Sequence, residues 1–281
     1  MTTPTATVAV PEELVANALL QKTIEREAGP DTDRPGWAAP TPQTAPETTG
    51  RGPRTALDRM TMGGVVSATS VLFVILLAGG AYGWTLVDAA PEGQVDVPGW
   101  LFPAVLVAVG MAIVAMFRPP LARFLGPLYA AIEGVVLGAI SHVYENQWQG
   151  IVIQAIGLTA LVFAAMLFVY STRIVRVTDR LRRVVIGATL GIALFYFASI
   201  LLSLFNVNLP LIWDAGPFGI LFSLFVAGLA AFNLMLDFDL AERGVAAGLP
   251  KHMEWFVGLA LMVSIVWLYL EILRLLSKLR R

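Results

Sequence analysis

Five acidic residues sit inside, or at the ends of, strongly apolar segments. Asp237 and Asp239 close the run Phe232-Asn233-Leu234-Met235-Leu236-Asp237-Phe238-Asp239, Glu254 and Glu271 belong to the last apolar run, and Glu133 lies further upstream. A carboxylate at membrane depth is costly, so such a residue points by default to a functional site. Two of them close together can share one proton or bind a hard cation through oxygen. Gaining or losing that proton changes the hydrogen bonding between helices, which is the chemistry of a gate. Asp237 follows Asn233 by four positions, on the same helix face, and that face should turn inward. Asp239 points to a different face and reads more simply as a helix-end acid. Glu271 shares a face with Ser264 and Trp267, and Arg274 follows at i+3. For Glu271 the alternative is therefore an intrahelical ion pair with a snorkelling arginine.

These acids need a membrane to give them meaning, and the composition supplies one. The 281 residues are 57% hydrophobic and 14% charged, with a mean hydropathy of +0.73. A soluble domain carries about 25% charged residues, so this chain has too few to cover a water-facing surface. A net charge of −1, without a basic and aromatic patch, gives no reason to expect nucleic acid. The absence of cysteine removes disulfides and thiolate metal sites. No His-Glu-x-x-His, Gly-x-Ser-x-Gly or cysteine nucleophile is present, so neither an enzyme nor a resident cofactor is expected. The last apolar run also lacks a mid-depth lysine for a retinal Schiff base. Arginine outnumbers lysine and Ala, Gly and Val abound, which points to a GC-rich bacterial genome.

Two materials make up the chain. Residues 1–60 are rich in Thr, Pro, Ala, Glu and Gly, and bury too little apolar surface to offset their ordering entropy. A disordered cytoplasmic tail is expected there, with a short helix over Glu12 to Glu27 and no signal peptide. Residues 61–281 alternate apolar runs with short connectors. Spans of roughly 20 residues are expected at about 62–87, 100–117, 124–143, 149–170, 183–205, 216–240 and 254–276. The class is an all-α polytopic membrane bundle of seven transmembrane helices.

Positive charge sets the orientation. Arg51, Arg54 and Arg59 precede span 1, Arg118 and Arg123 join spans 2 and 3, and Arg173, Arg176, Arg180, Arg182 and Arg183 join spans 4 and 5. Arg243 and Lys251 lie between spans 6 and 7, while the alternate connectors carry only Asp88, Glu92, Asp96, Glu145 and Asp214. The N-terminus is therefore expected in the cytoplasm, across a bacterial plasma membrane. Lys278, Arg280 and Arg281 break the pattern, so span 7 either crosses against the rule or enters and returns. The arginines between spans 4 and 5 read as topological, with anionic lipid binding as the secondary reading. The stripe Ala130, Gly134, Gly138 and the pair Gly187, Gly191 read as packing surfaces. His142 and His252 read as solvated interface residues.

Three motifs in order resemble the Bax inhibitor-1/YccA family: Tyr129-Ala130-Ala131-Ile132-Glu133-Gly134-Val135-Val136-Leu137-Gly138, the Asp237 segment closing span 6, and Leu268-Tyr269-Leu270-Glu271 in span 7. The resemblance covers about residues 62–281. It implies a seven-helix fold with the last helix packed centrally. It also implies a pH-sensitive calcium leak governed by a carboxylate pair, with Asp237 and Glu271 in the two acid positions and calcium or protons as the ions. Transient calcium binding is the nearest thing to a cofactor in that picture. YccA-type relatives are associated with the membrane protease FtsH, so the other expected function is a non-transporting protein that modulates such a partner.

One spacing departs from the family pattern. Thirty-four positions separate Asp237 from Glu271. Straight helices, rising about 1.5 Å per residue, would leave Asp237 roughly 5–8 Å from the cytoplasmic end and Glu271 about 25 Å beyond Glu254. The two meet only if span 7 begins well after Glu254 or a helix is broken or displaced. Otherwise Asp237, Asp239 and Glu254 should gather at the cytoplasmic end, with Glu133 near mid-depth.

Overall fold

The structure, a computed structural model, describes residues 59–87, 99–204 and 216–281. The expected tail before Arg59, its short helix, Asp88, Glu92, Asp96 and Asp214 lie outside the described residues. Seven α-helices follow in order: α1 (Met62–Trp84), α2 (Leu101–Phe117), α3 (Ala122–Gln147), α4 (Ile151–Ser171), α5 (Asp179–Leu204), α6 (Pro217–Ala246) and α7 (Met253–Leu279). A 3-10 turn, Pro119–Leu121, joins α2 to α3. Six of the helices are long and apolar enough to cross a membrane. The exception is α2, whose 17 residues reach only about 25 Å. Among the described residues there is no strand, only an isolated antiparallel bridge between Arg59 and Pro250.

The last helix is the axis of the bundle. It packs against α1, α3, α4 and α6, and 61% of its apolar window is buried, the highest share of the six spanning helices. By contrast α4 and α5 are 17% and 11% buried, and expose Leu161, Phe168, Leu190 and Leu194. Apolar side chains on that outer surface are what a bilayer would cover.

Small residues decide how closely α1 and α3 approach. A Cβ on Gly138 would meet the Gly80 carbonyl, one on Gly134 the Leu76 carbonyl, and one on Gly83 the Val135 carbonyl. The contacts are with backbone, so any side chain there must push the helices apart. The expected α3 stripe is thus a packing seam. Gly187 and Gly191 differ: a Cβ on either meets nothing, so this pair on α5 is not a seam within the described chain.

One helix end corrects the sequence expectation and another meets it. First, α6 continues to Ala246 instead of closing near residue 240. Its last polar turns stay helical because their charged side chains find partners on α4, α5 and α6 itself, described below. It ends at Gly248, whose φ of +62° places it in the left-handed region and lets Leu249 N–H return to the Gly244 carbonyl. Second, α7 is one unbroken helix that begins beside Glu254, so neither a late start nor a re-entrant turn occurs. Its far end reaches the opposite side of the bundle. Lys278 Nζ donates to the carbonyl of Gly219 at the start of α6 (3.0 Å), and Arg280 donates to the Gln149 carbonyl (2.9 Å) and Gln154 Oε1 (2.7 Å). Arg281 lies over the Trp148 ring. These cations are held by carbonyl and aromatic groups at that end of the bundle.

Candidate functional site

A six-residue connector makes α6 and α7 an antiparallel hairpin, so residues equidistant from it meet. Asp237 lies about 13 Å before the end of α6, and Ser264 about 16 Å into α7. They do meet: Ser264 Oγ donates to Asp237 Oδ2 at 2.5 Å. Glu271 is two turns further on, about 10 Å along the axis, and takes other partners. The two acids implied as a pair thus occupy separate environments. The reason is that both helices are straight and complete, so the hairpin register puts a serine opposite Asp237.

Glu271 is clamped. It is 1% exposed, and Glu271 Oε2 accepts from Arg274 (2.7 Å) and from the Tyr196 hydroxyl on α5 (3.1 Å). Arg274 also donates to the Tyr196 oxygen at 2.5 Å. The intrahelical ion pair offered by the i+3 spacing is therefore present, closed into a triangle by a tyrosine from another helix. Ser223 of α6 stands beside this carboxylate, its buried hydroxyl next to Glu271 on the hairpin partner helix.

Asp239 and Glu254 are also held, each by its own partners, and the expected acidic cluster with Asp237 does not form. Asp239 Oδ2 pairs with Arg182 of α5 and Arg243 of α6, both at 2.5 Å. One turn on, Glu242 takes the Tyr170 hydroxyl and Arg173. Arg173 in the α4–α5 connector and Arg182 in the first turn of α5 are thus clamps on α6. Glu254, in the first turn of α7, accepts from Thr61 N–H (2.9 Å) and Thr61 Oγ1 (3.0 Å). Thr61 in turn caps α1 through Gly64 N–H at 3.0 Å. A Cβ on Gly64 would collide with the Glu254 carboxylate, so a larger residue there would displace Glu254 from Thr61. Met60 N–H to the Leu249 carbonyl, at 2.7 Å, completes a strap from α1 to the hairpin connector.

Asp237 and Glu133 remain, and neither has a cation. Asp237 has the Ser264 hydroxyl alone; Glu133 is buried with no hydrogen bond or ion pair among the described residues. The packing gives their relative depth. Gly64 of α1 lies against Glu254, Gly258 of α7 against Thr69, and Gly134 of α3 against Leu76. The three helices run parallel, which sets Glu133 within about one helical turn of the Ser264 level. Glu133 shares a face with Tyr129 and Leu137, which pack with Met262 and Val266 of α7. Ser264 faces α6. The central helix is therefore flanked at mid-depth by two acids on two of its sides. Among the described residues no group of three His, Asp or Glu side chains could hold a metal.

Sequence reasoning missed Tyr196, Glu242, Thr61, the pairing of Arg182 with Asp239 and the role of Ser264. Hairpin arithmetic could have found Ser264; nothing in the spacing marks the others. The histidine expectation is half corrected, since His142 stacks on Trp84 at 4.8 Å and its Nδ1 is buried without a partner. His252 is the half-buried residue preceding α7.

With this geometry in place, comparison adds one positive finding. A family model described as Bax inhibitor 1 like matches residues 17–281, beginning within the stretch expected to be a tail. No curated protein matches the chain.

Proposed function

Because the chain belongs to the Bax inhibitor 1 like family, we propose that it is a pH-sensitive cation leak of a bacterial plasma membrane, with calcium as the ion and the N-terminus in the cytoplasm. The gate is the contact between α6 and the central helix. One observation carries the reading: among the described acids within the spans, Asp237 and Glu133 sit at mid-depth with neither an arginine nor a backbone N–H beside them, and they flank α7 at about the same depth. Ionised, the Asp237 carboxylate only accepts; protonated, it also donates. Protonation therefore adds a donor at the Ser264 contact and weakens the bond that the charged carboxylate accepts, on the helix that the rest of the bundle grips. Asp239, Glu254 and Glu271 have the opposite character and serve as fixed struts, so the latch moves from an Asp237–Glu271 pair to Asp237 with Ser264.

Calcium flux into proteoliposomes, recorded against pH, tests this. The native protein should show a pH-dependent leak, and D237N should flatten its pH response while retaining the fold. A flat response from folded native protein would discard the channel.

The interaction reading keeps one supporting observation. The strap Met60–Leu249 and Thr61–Glu254 ties the chain just before α1 to the α6–α7 hairpin. A partner holding the N-terminal segment, a membrane protease such as FtsH among them, would pull on that strap. Co-purification with and without residues 1–50 separates this function from the leak.

A further inference from the structure

Beside the clamps on Asp239 and Glu242 lies a cleft of about 430 Å³, lined by Tyr170, Arg173, Val175, Arg176, Val177 and Asp239. Its charge balance is positive. Asp239 is already matched by two arginines, Arg182 and Arg243, and Glu242 by Arg173. Arg176 also lines the cleft and forms no ion pair or hydrogen bond among the described residues. An arginine facing a polar cleft whose one carboxylate, Asp239, is already paired with other arginines suits a phosphate, whose oxygens it can engage in a fork.

The surroundings indicate where that phosphate comes from. Ile174, between the two arginines, is 66% exposed, and the flanking helices α4 and α5 present apolar side chains outward. A basic cleft bordered by exposed aliphatic groups at the end of two lipid-facing helices matches the level where headgroups meet acyl chains. Anionic lipids enrich the cytoplasmic leaflet, the side on which basic connectors accumulate.

We propose that the α4–α5 connector is a binding site for the phosphate headgroup of an anionic phospholipid, with Arg176 as its principal contact, Arg173 as the second, and Ile174 against the acyl chains. Occupancy draws Arg173 away from Glu242, because one guanidinium serves both anions. This site stands independently of the leak activity.

The test measures binding and thermal stability of the full chain in detergent micelles, with phosphatidylglycerol, phosphatidylcholine or inorganic phosphate added. Phosphatidylglycerol should bind and raise the melting temperature, and phosphatidylcholine should not. R176Q breaks no internal pair, so it folds normally and should bind phosphatidylglycerol about fivefold more weakly. R173Q/R176Q should weaken it further, whereas R118Q/R123Q, which removes equal charge from another connector, should not. Equal weakening in both double variants would mean diffuse surface attraction and overturn the site. Equal stabilisation by inorganic phosphate would overturn the lipid assignment. No difference between the two lipids would overturn both.

Discussion

The acids at the ends of the bundle and those at its middle are the same chemical groups in opposite company. Asp239, Glu242 and Glu271 each face at least one arginine, and Glu254 faces the N–H and hydroxyl of a helix cap. Asp237 faces a serine, and Glu133 lies beside Tyr129 with no hydrogen bond or ion pair among the described residues. An anion with a guanidinium beside it is anchored, since removing the partner strands a buried charge. An anion with only a hydroxyl loses little when it takes up a proton. Anchored acids build the frame, and unanchored ones are free to switch.

The largest way to break this contrast is to strand the most buried anchored acid. Arg274→Met leaves Glu271, 1% exposed, without its cation and should cost about 3–5 kcal/mol. Unfolding in detergent by denaturant titration reads the loss, and Arg274→Met with Glu271→Gln should recover most of it. If the single variant is as stable as the native protein, Glu271 is not a strut.

Next in size is Gly138→Ala, whose new Cβ meets the Gly80 carbonyl. Overpacking of this kind costs about 1–3 kcal/mol, measurable as a lower melting temperature, while Gly187→Ala on the open face of α5 should change little. Thr61→Ala removes a helix cap and a Glu254 contact together, for about 1 kcal/mol. Hydrogen exchange should rise at the start of α1 in that variant and stay unchanged at the Gly219 end of α6.

The smallest stability effect belongs to the residue with the largest proposed functional one. Asp237→Asn loses no cation and keeps an acceptor for Ser264, so its stability should stay within about 1 kcal/mol of native. Its calcium flux should nonetheless lose pH dependence. A large stability loss without a change in flux would place Asp237 among the struts and erase the contrast.

Much of this arrangement was legible in advance. Seven apolar helices, six of them at membrane length, the Ala130, Gly134, Gly138 stripe and the inward acid at 237 all follow from local composition and helical periodicity. The Arg274 spacing also exposed the Glu271 ion pair. What misled was the end of α6. Asp239, Glu242 and Arg243 look like a chain leaving the membrane, but pairing with Arg173 and Arg182 keeps them helical to Ala246. That extension sets Asp237 deeper than expected, at the level of Ser264 and still two turns short of Glu271.

Taken alone, the sequence determined that this chain is a bundle of apolar helices with a handful of intramembrane carboxylates, because hydrophobic length and period are local properties. Which carboxylate is anchored and which is free depended on side chains from distant segments: Tyr196 and Arg182 on α5, Thr61 before α1, and Ser264 across the hairpin. Those meetings are set by helix register and packing depth. A shift of one turn, about 5.4 Å, would exchange every partner while leaving the hydropathy pattern untouched.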